Sequence, residues 1–181
     1  MRIVELFVAV FAAFLTSLAI HACVTCEAWG SDTTEAVSAG IVKLQPAHDP
    51  QYAAALAEVF VEAGEAHEVD PLLLVAIAMR ESSLRPGIRG AVGEIGLLQV
   101  HGAALGVRPK ACPATLDTWS CEVHTGAAWL KVCQEVCPGS TARWLAAYGS
   151  GKCPAEDAAT KARGILVVRR YYETIGGTGW E

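Results

Sequence analysis

An unbroken run of eight apolar residues, from Leu72 to Met79, limits most strongly how this chain can fold. Asp70 and Pro71 stand directly before the run, as a helix cap and a first-turn proline, so the run predicts a helix. Because the run is apolar on every side, other elements must enclose such a helix on all its faces. The sequence therefore predicts a core helix that ends near Glu81, where the core meets a cleft.

Glu81 is the first candidate for chemistry. Burial disfavours the charged form of a carboxylate, and a carboxylic acid with a raised pKa can protonate a leaving group near neutral pH. The alternative is a solvated glutamate, although a negative charge in a last helical turn is unfavourable against the helix dipole. The glycine-flanked segment Gly96-Leu97-Leu98-Gln99-Val100 begins fifteen residues after Glu81. It can bring backbone and an amide side chain close to a bound molecule.

Further helical patterns follow the same rules along the chain. Asp49-Pro50 repeats the cap and opens a segment with apolar residues at helical spacing. The remaining predicted helices cover 96–104, 122–135, 141–147 and a last segment that starts at Pro154. No convincing alternating strand pattern and no internal repeat are present. These patterns predict a single all-α domain over residues 49–181, with residues 23–48 as a linker or loosely packed arm.

Length and charge exclude several classes of protein. A chain of 181 residues fits one domain with a substantial core. The formal net charge of −5 without a basic block gives no indication of a nucleic-acid partner. Charged residues make up 18% of the chain, well below the proportion expected of a disordered protein.

The N-terminal residues 1–22 predict an export signal. Met1-Arg2 is a minimal positive start, a mostly apolar stretch runs from Leu6 to Ile20, and Ala22 suits a cleavage site. Three alternatives stay open: a buried N-terminal helix, an uncleaved signal anchor that attaches the protein to a membrane, and lipidation at Cys23. The lipidation box would be Ile20-His21-Ala22-Cys23, to which His21 is a poor fit.

Seven cysteines in an exported chain indicate disulfides. Cys112 with Cys121 would clamp a loop, and Cys137 with Cys153 would tie a helix to the following segment, although connectivity cannot be derived from sequence. The odd count leaves at least one thiol outside such pairs. The alternative is that the cysteines bind zinc, but no two-plus-two spacing of ligands occurs. The spacing of Cys133 and Cys137 is equally that of two positions on one helix face.

Three motifs together resemble a known family. Glu81-Ser82-Ser83, Gly96-Leu97-Leu98-Gln99-Val100 and Ala147-Tyr148-Gly149-Ser150-Gly151 occur in the order and at the spacing of soluble-type lytic transglycosylases, across roughly residues 50–175. The resemblance implies a lysozyme-like helical fold, an exported protein and peptidoglycan glycan strands as substrate, with no metal or organic cofactor. Enzymes of this kind serve wall turnover, secretion machines, conjugation or phage, and the sequence does not choose among these settings.

The resemblance also implies roles for individual residues. Glu81 falls on the family's single catalytic acid, which protonates the glycosidic oxygen and then acts as base. Tyr148 falls on a tyrosine that binds substrate and orients the acid, with an amphipathic core edge as its other interpretation. Gln99 is expected in the cleft, where substrate or the Glu81 region could satisfy its amide. Leu98 is either a cleft wall or pure core.

Two further substrate contacts are weaker candidates. Ser83 is either a substrate contact or a cap for backbone groups near the helix end. Tyr172 lies on the inner face of the last helix, where the family often contributes a cleft tyrosine and where core packing is the alternative. Three positions also depart from the family pattern and remove side chains that could position sugar or catalyst: Gly90, Gly102 and Gly149.

A carboxylate is missing at one position where hydrolytic relatives of the fold carry it, which bears on the choice between two reactions. Hydrolytic glycosidases usually need a second carboxylate, to activate water or to attack the sugar. Goose-type lysozymes, which share the fold, resemble this chain but carry a carboxylate just after the glutamine segment, where this chain has His101. That favours transfer to the sugar's own 6-hydroxyl. Two alternatives remain: a hydrolytic lysozyme that uses Glu94, and a catalytically silent peptidoglycan-binding or assembly protein.

Overall fold

The computed structural model describes residues 30–180, so the predicted signal segment and residue 181 lie outside the described residues. Seven α-helices and one 3₁₀ helix make up this part of the chain. They are α1 (Gly30–Leu44), α2 (Pro50–His67), α3 (Pro71–Ser82), the 3₁₀ helix (Gly102–Val107), α4 (Trp119–Val136), α5 (Thr141–Ser150), α6 (Glu156–Lys161) and α7 (Arg163–Thr174). Between α3 and the 3₁₀ helix the described backbone forms only isolated β-bridges, Arg89 with Ile95 and Ile95 with Val100. The predicted all-α, single-domain fold is confirmed.

The predicted core helix is α3. Its side chains from Leu73 to Ala78 are buried, and α1, α2 and α7 all pack against it. The Asp70 side chain accepts the backbone N–H of Leu72 at 2.8 Å, which caps the helix as the sequence predicts. At the other end Ser83 takes the left-handed conformation, with φ of 53°, and stops the helix. Glu81 therefore occupies the last turn of an enclosed helix.

The predicted linker at 23–48 is wrong for the part that the structure describes. Residues 30–44 form α1, which packs mainly against α2. Val37 and Ile41, four residues apart, are fully buried, while Gly40 lets the side chain of Ile175 come close to the helix backbone. Val37 and Ile41 are the large apolar residues of α1 that are buried among its described side chains. Two such residues among small and polar ones give too weak a helical periodicity to predict the helix.

Two predicted helices have different bounds in the structure. The segment 96–100 forms turns, and the short helix begins only at Gly102 as a 3₁₀ helix. The helix expected from Pro154 onward is two helices, α6 and α7, separated at Ala162. Both differences fall on short polar or glycine-rich stretches, where local propensity specifies a boundary weakly.

Both candidate disulfides are present. Cys112, which precedes α4, bonds to Cys121 in the first turn of α4. Cys137, at the end of α4, bonds to Cys153, which follows α5. Cys133 is the free, buried cysteine of the described residues. Disulfides are typical of proteins outside the cytoplasm. No helix within residues 30–180 is long and apolar enough to span a lipid bilayer.

We expect the longer disulfide to contribute measurably to stability. Cys137 and Cys153 are 16 residues apart in sequence, and a loop of that length adds about 3 kcal/mol by restricting the unfolded chain. Replacing both cysteines with serine should lower the melting temperature by about 5–10 °C. Circular dichroism measures the change. The matched control is the pair Cys112→Ser and Cys121→Ser, whose separation of nine residues should cost slightly less. Identical melting curves before and after both changes would contradict the prediction.

Candidate active site

Glu81 lies at the edge of a cavity of about 420 Å³. Most of the cavity wall is apolar and comes from α3, α5, α6 and α7, with Ile77, Leu145, Ile165 and Val168 among its residues. The Glu81 side chain is 22% exposed, enough for a substrate to reach it. Burial raises the pKa of Glu81, and the negative charge of Glu94 adds to the rise. A carboxylic acid that holds its proton toward neutral pH is suited to general acid catalysis.

Arg80 is the cation that opposes this rise. Its guanidinium pairs with Oε1 of Glu81, and this ion pair works against burial to lower the pKa of Glu81. The guanidinium also lies against Gly164 at the start of α7, where a Cβ atom would stand 2.7 Å from Nη2. Arg80 thus lines the same cavity as Glu81. Sequence reasoning missed it because an arginine in a last helical turn is equally explained by the helix dipole.

Tyr148 forms the wall between the Glu81 cavity and a second, smaller one. It lines both, as do Gly149 and Ser150 after it. Its hydroxyl donates to the backbone carbonyl of Leu98 at 2.7 Å, and the indole of Trp129 donates to the Tyr148 carbonyl at 3.2 Å. Burial, then the nearby Glu81 charge, raises the pKa of Tyr148 well above its usual range. The phenol therefore remains a protonated donor.

Gln99 lines the second cavity, which measures about 130 Å³ and also includes Trp129 and Tyr148. Its backbone has φ of 46°, a left-handed conformation that is uncommon for a residue other than glycine. The amide Nε2 donates to the Gly96 carbonyl at 2.8 Å, which holds the segment in this conformation. The structure thus brings Gln99, Tyr148 and Glu81 to two adjoining cavities.

Glu122 holds the loop that carries Gln99, a role that sequence reasoning missed. It is buried in the first turn of α4 and accepts two backbone N–H groups, from Gly87 at 2.8 Å and Leu97 at 2.9 Å. Burial raises the pKa of Glu122, although both N–H donors favour its charged form. Its carboxylate thereby fastens both ends of the loop between α3 and Gln99. In sequence it has the pattern of an ordinary acidic residue in a first helical turn.

The structure places the three other predicted contacts away from the cavity. Leu98 is fully buried, with its side chain against Gly126, so its contribution to the site is the backbone carbonyl that Tyr148 binds. Ser83 is half-buried and ends α3 through its backbone N–H. Neither residue lines the cavity beside Glu81.

Tyr172 is a buried residue of another region. Its hydroxyl bonds to the Asp70 carboxylate and to the Thr178 carbonyl, and its ring contacts Trp180 at a centroid distance of 5.9 Å. These contacts lie at the N-terminal end of α3, opposite to Glu81. The structure therefore does not bring Tyr172 to the Glu81 site, and core packing explains it.

The arrangement around Glu81 has a counterpart among known families. A family model described as the transglycosylase SLT domain matches residues 58–164, more than half of the chain. The chain belongs to the transglycosylase SLT family. The matched range contains Glu81, Gln99, Tyr148 and every residue of the loop between α3 and α4. No match was found among curated proteins.

Membership of the SLT family indicates the general function of the site. SLT domains are lysozyme-like and act on peptidoglycan outside the cytoplasm, in agreement with the two disulfides. The chain is thus a member of a family of enzymes that cleave glycosidic bonds. A carboxyl group with a raised pKa at the edge of a cavity is suited to deliver a proton to a bound glycosidic oxygen.

Tyr148→Phe tests how this SLT site is supported. The change removes the hydrogen bond to the Leu98 carbonyl and should cost about 1–2 kcal/mol of folding free energy. Because that bond holds the segment before Gln99, we expect kcat to fall by about tenfold or more. Urea unfolding and a peptidoglycan turbidity assay measure the two effects. Tyr171→Phe is the matched control, since Tyr171 makes none of these contacts in the described residues. Unchanged kcat in Tyr148→Phe would contradict the support role.

Proposed function

We propose that the protein is a peptidoglycan lytic transglycosylase, which cleaves the MurNAc-β-1,4-GlcNAc bond and leaves a 1,6-anhydroMurNAc end. The observation that carries the proposal is the half-buried Glu81, whose pKa is raised by burial, at the edge of a cavity in an SLT domain. Only one carboxyl group of the described residues lines that cavity.

The reaction needs one group that first gives and then accepts a proton. Glu81 transfers its proton to the glycosidic oxygen while the bond from C1 of MurNAc to that oxygen breaks, and GlcNAc leaves with a free 4-hydroxyl. The 6-hydroxyl of the same MurNAc then bonds to C1 and gives its proton to the Glu81 carboxylate. No water is consumed, and Glu81 returns to its protonated form. Arg80 stabilises the carboxylate between the two steps.

Position 101 supports transfer over hydrolysis. The residue just after Val100 is the exposed His101, so the carboxylate with which hydrolytic glycosidases activate water or attack the sugar is missing at this position. Gln99 and Tyr148 line the adjoining cavity, where they can hold the sugar on one side of the bond. Binding that fixes the ring close to its attacking position favours the intramolecular reaction.

A second candidate, a hydrolytic muramidase, is favoured by one observation. Hydrogen bonds from backbone N–H groups, of Glu94 itself and then of Val92, lower the pKa of Glu94, whereas the pKa of Glu81 is raised. Two carboxyl groups whose pKa values move apart can serve as base and acid. In this reaction Glu94 would activate a water molecule.

The masses of the products distinguish the two reactions. The purified protein is incubated with peptidoglycan, and the released muropeptides are analysed by mass spectrometry before and after borohydride reduction. Anhydro ends are one water lighter than hydrolytic ends and resist reduction, because they carry no free reducing group. We expect anhydro ends. Reducible ends as the main product would reject the transglycosylase proposal in favour of the muramidase.

A further inference from the structure

The cavity beside Glu81 has an apolar body. Its wall includes Ile77 of α3 and Leu145 of α5, α7 adds Ile165 and Val168, and alanines of α5 and α6 also line it. A sugar ring carries hydroxyl groups, and a hydroxyl that is buried against carbon without a hydrogen-bond partner is costly. This part of the cavity therefore suits an aliphatic group better than a sugar ring. Its volume of about 420 Å³ lies within the range of small-molecule sites, about 300–1,000 Å³.

The charges at this cavity come from the last turn of α3. Among the described residues that line it, Arg80 is the cation and Glu81 the anion. A guanidinium donates from Nε as well as from Nη1 and Nη2. Nη1 of Arg80 bonds to Glu81, whereas Nε and Nη2 bond to no residue within 30–180. The side chain of Arg80 is 41% exposed, so an anion in the cavity can reach these donors.

Gly164 gives the guanidinium its place beside the apolar wall. A Cβ atom on Gly164 would stand 2.7 Å from Nη2 and 3.0 Å from Nε of Arg80, so both donors lie against the start of α7. Ile165, which follows in the chain, belongs to the apolar wall. The structure thus brings a cation, with donors that no described residue uses, next to aliphatic side chains. A carboxylate on an aliphatic group matches both features, since a guanidinium binds a carboxylate through paired N–H groups.

We propose that the cavity beside Glu81 binds a carboxylate on a short aliphatic group, with Arg80 as the residue that recognises the anion. Two sources have this chemistry. The first is the lactyl group of MurNAc, which ends in a free carboxylate on glycan strands without stem peptides. The second is a free aliphatic acid. Binding depends on the cavity and Arg80 alone, and only the first source rests on the proposed function, in which Arg80 then determines specificity.

Glu81 competes with this ligand for Arg80. In the structure the Glu81 carboxyl group pairs with Nη1, while burial raises the pKa of Glu81 and favours the uncharged form that releases Arg80. A bound carboxylate replaces the ion pair and leaves Glu81 protonated, as general acid catalysis needs. Glu81→Gln should therefore bind the ligand several-fold tighter than the wild type does, because the competing charge is removed. Weaker binding by Glu81→Gln would contradict this competition.

Titration with simple ligands tests the site without any need for activity. The protein is isotope-labelled for NMR, and the amide signals of Gly149 and Gly164, which line the cavity, report binding. Hexanoate should bind about tenfold or more tighter than acetate, because its chain buries further methylene groups. It should also bind about tenfold tighter than hexan-1-ol, which carries no charge. Equal affinities for hexanoate and hexan-1-ol, or cavity signals that do not move, would overturn the proposal.

Two variants separate the guanidinium from general effects of charge. Arg80→Met keeps an aliphatic side chain and should weaken hexanoate binding by about tenfold or more. Arg170→Met is the matched control, because Arg170 is an exposed arginine of α7 that does not line the cavity, and the affinity should stay unchanged. Equal affinities in the wild type and Arg80→Met would overturn the proposal. If circular dichroism shows that Arg80→Met does not fold, the comparison of hexanoate with hexan-1-ol decides.

MurNAc and GlcNAc distinguish the two sources, since they differ only in the lactyl group. If MurNAc shifts the Gly149 and Gly164 signals and GlcNAc does not, the lactyl carboxylate is the ligand. Strands freed of peptide should then be cleaved with a several-fold lower KM than peptide-bearing strands, and Arg80→Met should remove that difference. If hexanoate binds and MurNAc binds no better than GlcNAc, the ligand is a free aliphatic acid. If the wild type cleaves nothing while hexanoate binds, the proposed function fails and the site stands.

Discussion

Replacing Glu81 with glutamine is expected to abolish glycan cleavage, with kcat lowered by about 10²–10⁴-fold. Glutamine keeps the shape of the side chain but carries no proton that it can transfer at neutral pH. The cavity holds no other carboxyl group among the described residues that could replace Glu81. Release of soluble muropeptides from purified peptidoglycan, measured at several pH values, gives the rate of each variant.

The same variant distinguishes an enzyme from a silent binding protein. Glu81→Gln should still sediment with insoluble peptidoglycan, because Gln99, Tyr148 and the cavity walls are unchanged. The control is Glu135→Gln, which removes a carboxylate from the exposed side of α4 and should cleave as fast as the wild type. A wild type and a Glu81→Gln variant that bind equally and cleave nothing would indicate the silent alternative. Cleavage by Glu81→Gln at the wild-type rate would show that another group is the acid.

The features predicted best from the sequence are those that local physics specifies. An all-apolar run such as Leu72 to Met79 indicates an enclosed element, and the cap and first-turn proline at Asp70-Pro71 favour a helix. The caps before α2 and α3 depend on short contacts between neighbouring residues, so they too are visible in the sequence. Glu81 could be found because its position at the end of α3 follows directly from these elements.

The features that were missed depend on contacts between distant parts of the chain. Tyr172 has the spacing of an inner-face residue in α7, but only the fold shows that its hydroxyl meets Asp70 rather than Glu81. Glu122 binds loop N–H groups 25 and 35 residues away, a contact that no local pattern reveals. Leu98 could equally have been a wall or core residue until the position of Gly126 was known.

Gly96→Ala is expected to destabilise the fold by about 3 kcal/mol. Gly96 has φ of 72°, and a Cβ atom there would stand 2.2 Å from Cδ of Glu122. Left-handed strain costs a residue with a side chain about 1 kcal/mol, and overpacking against a buried group adds about 1–3 kcal/mol. Urea unfolding followed by circular dichroism measures the loss.

Gly102→Ala is the control that shows how much stability is lost through left-handed backbone strain alone, without a contact with a neighbouring side chain. Gly102 also lies in the left-handed region, with φ of 54°, but nothing stands within 4 Å of the added methyl group. This variant should therefore lose only about 1 kcal/mol. In Gly96→Ala the Glu122 carboxylate must move, which weakens its bonds to Gly87 and Leu97 and releases the loop that carries Gln99. We therefore expect glycan cleavage to fall much further in Gly96→Ala than in Gly102→Ala. Equal losses in stability would mean that the contact with Glu122 does not hold the loop.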